Sequence, residues 1–282
     1  MLANLKIRSR LVLAIGVPVL MLLAFTGFDL MARWTLRTDV MKLQSLAEGV
    51  ATISNLIHEL QRERGASAVF VGSRGTQLRD GLADQRKRTD ERQKLAVNVL
   101  ASLATHASGD FLDGVEKATK AVAALSNKRD EINAFSISAT ASNVYFSETI
   151  AKLLFVTSEI AKVSRHGDVT MAIVAYVNFM QGKELAGQER ATGAAGISAG
   201  RFEQAGYLRV LSLATAQDAY FAAFAATATA SQNEFFARTI AGPVIDVLAK
   251  MRQIVQSGGL TGEMTGSTAN LGSIRRRSAS IS

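Results

Sequence analysis

In the segment Leu60-Gln61-Arg62-Glu63-Arg64-Gly65 an arginine occupies a position whose spacing belongs to leucine. Alternating steps of three and four back from Arg64 land on Leu60, Ile57, Ile53, Val50, Leu46 and Leu43, and forward steps land on Ser67 and Val71. That is one apolar stripe along a long helix. A guanidinium on such a stripe is costly unless a negative group reaches it. Its planar fork, permanent charge and weak hydration suit bidentate contact with a planar oxyanion. A structural ion pair with a Glu or Asp from a neighbouring helix would satisfy it equally well.

A second Glu-Arg pair, Glu189-Arg190, supplies the other candidate ligand residue. Its stripe holds Tyr176, Phe179, Ala186 and Ile197 but also Lys183, so Arg190 is less plainly interior than Arg64. Gly187, Ala191 and the run from Gly193 to Gly196 permit close helix approach and favour a small ligand. Arg62 is two positions from Arg64 and points to nearly the opposite face. It reads first as surface, or as a contact to another bundle or subunit, and stands third among the ligand candidates. Glu59 and Glu63 read as local helix pairs worth tenths of a kcal/mol. The mixed-sign run Arg86 to Arg92 reads as a solvated face, and Arg201 and Arg238 are further cations without decisive spacing.

Other chemistry finds little support. The chain has no cysteine, which excludes disulfides and thiolate sites. His58, His106 and His166 lack ligand spacing, so neither a metal nor a cofactor is expected. There is no Ser-His-Asp context, phosphate loop or paired-carboxylate signature. A glycine-rich stretch at Gly258 to Gly266 lacks the Lys-Ser/Thr of a phosphate loop. An enzyme is therefore not expected.

These side chains must be carried by helices. Two prolines in 282 residues, few aromatics and abundant alanine predict an all-α chain. Short Gly, Ser and Asp punctuation separates helices ending near Val71, then spanning about 77–104, 111–132, 138–165, 169–195, 201–230 and 233–255. Helices of this length pack most simply as two antiparallel bundles. The formal net charge of +8 comes largely from Lys6, Arg8 and Arg10 and from Arg275 to Arg277; the remainder is nearly balanced. No basic, base-reading face is evident, so no nucleic-acid partner is expected.

Leu11 to Phe28 is uncharged and largely apolar, and basic residues precede it. Its length predicts a transmembrane helix over 11–30, with residues 1–10 cytoplasmic and residues 31–266 periplasmic. A cleaved signal peptide is the rival, disfavoured by length and a poor cleavage pattern. Residues 267–282 are small and polar and read as a disordered tail.

Leu60 to Ala68, Gln85 to Asp90, Tyr176 to Phe179, Lys183-Glu184, Gly187 to Ala191 and Phe202 to Phe224 together resemble the nitrate- and nitrite-sensing domain family. The resemblance implies two packed four-helix bundles and an anion site built from arginines, with Arg64 and Arg190 on its two Glu-Arg motifs and Arg62 beside them. Such domains occur in periplasmic sensors of membrane receptors and in transcription antiterminators. Combined with the apolar segment, the resemblance implies the sensor half of a methyl-accepting chemotaxis receptor, anchored in the bacterial inner membrane and acting as a homodimer. Ser267 to Ser282 departs from the helix that usually follows, leaving the second bundle one helix short. The rival readings are a ligand-free structural or partner-binding bundle, and a receptor remnant without function.

Overall fold

The computed structural model describes residues 7–163, 167–198 and 200–262. Among them there are nine α-helices and no strand. They are α1 (Ile7–Gly72), α2 (Arg79–Ala104), α3 (Gly109–Ala123), α4 (Leu125–Asn133), α5 (Ala139–Val163), α6 (Gly167–Ser198), α7 (Gln204–Thr227), α8 (Ala230–Thr239) and α9 (Pro243–Gly258).

The chain divides into two compact units at Gly49/Val50, within α1. In the first unit Met21, Leu22, Phe25, Phe28 and Trp34 are exposed. The expected transmembrane helix is corrected here: among the described residues no helix is long and apolar enough to cross a membrane. The apolar run lies inside a helix that continues unbroken to Gly72. Apolarity in a helix of that kind does not by itself specify lipid as its surroundings. The basic Lys6 and the tail 267–282 lie outside the described residues.

The second unit holds the core. Along α1 the stripe is buried where the periodicity places it: Val50, Ile53, Ile57 and Leu60, then Arg64 and Ser67. A parallel seam at seven-residue spacing carries Leu56, Glu63 and Phe70, all buried. On α6, Ala175, Gly182, Glu189 and Gly196 are buried at the same spacing. Helix α6 packs along α7 and α5, and α3 packs against α2 and α5. Phe179, Phe221, Phe224 and Phe236 cluster where α6, α7 and α8 meet, with ring centroids 5.0 Å apart for Phe224 and Phe236.

The expected helix over 111–132 is two, α3 and α4, which meet at Ala124 and Leu125. The expected helix over 233–255 is also two. Pro243 opens α9 behind Gly242, whose φ of 107° suits only glycine. A proline lacks the N–H that a helix interior needs, but it is well placed in the first turn. Thr229 starts α8 with a capping box to Gln232.

Candidate functional site

Glu63, at 0% exposure, is gripped by Arg129 of α4 through two bonds, Nε to Oε1 at 2.7 Å and Nη2 to Oε2 at 2.9 Å. Arg129 also donates from Nη1 to Asp90 of α2 at 2.5 Å. Arg86 stands beside them, its Nε 3.7 Å from Glu63. Burial pushes the Arg86 guanidinium below its ordinary value, against the pull of Glu63. The run expected to be a solvated face therefore turns Arg86 inward and buries Thr89. Glu63 is not the exposed local pair its neighbours suggest, because it lies on the buried seam of α1.

The same arrangement recurs in the later helices. Glu189 of α6 is gripped by Arg252 of α9, Nε to Oε1 at 2.6 Å and Nη2 to Oε2 at 2.7 Å. Arg252 also approaches Asp218 of α7 at 3.4 Å. Gln217 donates to Glu189 at 3.0 Å and accepts from Arg252 at 2.9 Å. These bonds to Glu189 hold the Arg252 guanidinium above its ordinary value. In each Glu-Arg motif, then, the glutamate is clamped by an arginine from a later helix. Arg129 and Arg252 were not singled out from sequence. The available signal was that Glu63 and Glu189 sit on apolar seven-residue seams and so require a buried cation.

Arg64 lies between α5 and α6. Its Nη1 bonds Glu184 and donates to Ser147 Oγ at 2.7 Å. Glu184, 3% exposed, also accepts from Gln61 Nε2 at 2.9 Å and from Gln188 Nε2 at 2.8 Å. Gly187 makes room for this: a Cβ there would stand 2.9 Å from Arg64 Nη2. Arg190 is exposed and has no ion pair or hydrogen bond among the described residues. Arg62 is exposed and does not line the cavity described next. Arg201 is exposed, and Arg238 pairs with Glu234 on the surface at 3.7 Å.

Arg64 and Arg190 do line one cavity, of about 760 Å³. Its walls come from α1, α6, α7 and α9. They carry four cations, Arg64, Lys183, Arg190 and Arg252, against one carboxylate, Glu189. Burial pushes Lys183 below its ordinary value, and its Nζ lies 3.1 Å from His58 Nδ1. With Arg64 held by Glu184 and Arg252 by Glu189, Arg190 is the guanidinium left open to a ligand. The chemistry on offer is charge-assisted hydrogen bonding to an anion.

Tyr145 packs near the Glu63 clamp and donates from Oη to the Ala121 carbonyl at 2.8 Å. Burial, with the Glu63 charge adding to it, pushes its phenol up from 10.0 to about 12. The unfolded chain thus releases this proton first as pH rises. The contribution to stability is complete below about pH 10 and is lost by about pH 12. Tyr145→Phe should flatten the decline in urea stability across that window. An unchanged decline would assign it to other groups.

A family model described as nitrate and nitrite sensing matches residues 55–276. A curated relative, the nitrate regulatory protein of Klebsiella oxytoca, is 31% identical over 189 residues, covering 66% of this chain and 47% of that protein. The solved structure of the NasR transcription antiterminator is similar at a TM-score of 0.73 and 25% identity, covering 85% of this chain and 66% of the other. The chain therefore spans about half the length of the curated relative. Both relatives are regulators by name rather than enzymes. They overturn the reading as a membrane-anchored chemotaxis receptor with a periplasmic sensor, as does the lack of a membrane-crossing helix among the described residues. The inner-membrane location and membrane partner fall with it. The exclusion of nucleic acid also falls, since one relative is a transcription antiterminator. That exclusion rested on the charge balance of this chain, which cannot speak for the part of the relative it does not cover.

Proposed function

The chain belongs to the nitrate and nitrite sensing family, and from that premise we propose that it is the ligand-binding module of a nitrate- or nitrite-responsive regulator. The anion binds in the cavity shared by Arg64 and Arg190. The observation that carries this reading is Arg190, a cavity-lining guanidinium without a protein partner among the described residues. A purely structural bundle would pair both arginines with carboxylates, and among the described residues only Arg64 is so paired. Arg62, exposed and away from the cavity, is assigned to the surface.

The two halves are read as two helical bundles, each built round its own Glu–Arg clamp. A homodimer, the commonest closed assembly, is part of this reading. Signalling requires that the anion favour one helix arrangement over another. The means at hand is Glu184, which the anion would displace from Arg64. Since the curated relative is about twice as long as the matched region, the output of the regulator is assigned to sequence beyond it.

Isothermal titration tests the binding step. Wild type should bind nitrate or nitrite, and Arg190→Ala should weaken binding by about 10- to 100-fold, the worth of charge-assisted hydrogen bonds. Its melting temperature should be unchanged, as for most exposed substitutions. No heat from either anion with folded wild-type protein would end the proposal.

A further inference from the structure

The cavity beside Arg64 and Arg190 is far larger than a nitrate ion. It measures about 760 Å³, whereas an oxyanion of that size displaces on the order of two waters, roughly 60 Å³ at ~30 Å³ of liquid per water. The surplus is walled by apolar side chains. Ile197 and Val210 contribute from α6 and α7, and α9 presents Val247, Leu248, Met251 and Val255 at one-face spacing. A site made only for a small oxyanion brings polar donors to it from every side. A largely apolar cavity of ~300–1,000 Å³ with a few converging polar groups has the anatomy of an organic-ligand site.

We infer that the cavity also binds an amphiphilic organic carboxylate. Its head group meets Arg190 and Arg64, and its apolar body lies along the α9 wall. The surplus positive charge of the lining selects an anion, and the α9 residues select an apolar body. This inference shares its arginines with the nitrate reading but does not require nitrate to be a ligand. Where both hold, the two ligands exclude one another.

Titration of the 282-residue chain with acetate, butyrate, hexanoate and octanoate tests it. Affinity should rise about fourfold for each methylene that becomes buried. Octanoate binding should be lost in Arg190→Ala, and the dependence on chain length should flatten in Leu248→Asn, which lies outside the anion contacts. If Leu248→Asn fails to fold, the nearly isosteric Val247→Thr makes the same measurement. Octanoate binding no tighter than acetate overturns the inference, and so does tight binding that neither Arg190→Ala nor the α9 variant diminishes. Nitrate binding without chain-length dependence sinks this inference and spares the sensor reading. Chain-length dependence with no nitrate binding does the reverse.

Discussion

Arg129→Ala should lower the unfolding free energy by about 3–5 kcal/mol, the range for breaking a buried ion pair on one side. The cost arises from what remains. Glu63 has no exposed surface and would be left with only Arg86, 3.7 Å away, as a cationic neighbour. The two bonds of one bidentate pair and the link to Asp90 disappear together, so α1, α2 and α4 lose a shared anchor. Arg252→Ala should act in the same direction but less, because Gln217 still donates to Glu189. Removing an exposed pair such as Arg238–Glu234 should be near silent. Urea unfolding measures all three. A fall in midpoint at unchanged slope isolates stability from denatured-state effects. A loss below about 1 kcal/mol in Arg129→Ala would mean that the clamp contributes no more than a surface pair does.

The second large effect separates Arg64 from Arg190. Arg64→Ala should cost about 3 kcal/mol, at the low end for a broken buried pair because Gln61 and Gln188 still donate to Glu184. It should also abolish anion binding, whereas Arg190→Ala should weaken binding about 10- to 100-fold and leave stability unchanged. Glu184→Gln completes the set. It leaves the Arg64 charge in place without its buried counter-charge, so nitrate affinity should rise by about tenfold or more while stability falls. Isothermal titration paired with thermal melts reads both quantities. Weaker nitrate binding in Glu184→Gln would show that Glu184 positions Arg64 for the ligand and does not compete with it.

Much of the helical framework is legible in the chain. The stripe through Val50, Ile53, Ile57 and Leu60 predicts which face of α1 is buried, because period and burial are properties of one helix. The break at Gly72 to Gly75 is equally local: Arg74 and Gly75 adopt φ of 50° and 76° there. The join at Pro243 is also a local signal, since proline belongs in a first turn, and the helix expected over 233–255 leaves it out of account. The apolar segment near the N-terminus misled for a different reason, since hydropathy ranks a segment's aversion to water without naming what shields it.

The sequence alone indicated that the chain is helical, that Arg64 lies on an apolar stripe, and that the chain resembles the nitrate and nitrite sensing family. Tertiary structure decided which acid meets which base. Glu184 reaches Arg64, Arg129 and Arg252 clamp the two motif glutamates, and Arg190 is left facing the cavity. Periodicity reports only the angle of a side chain about its own helix axis. Whether two charges separated by tens of residues come within 3 Å depends on the rotation and register of neighbouring helices, which the packing of the whole core sets.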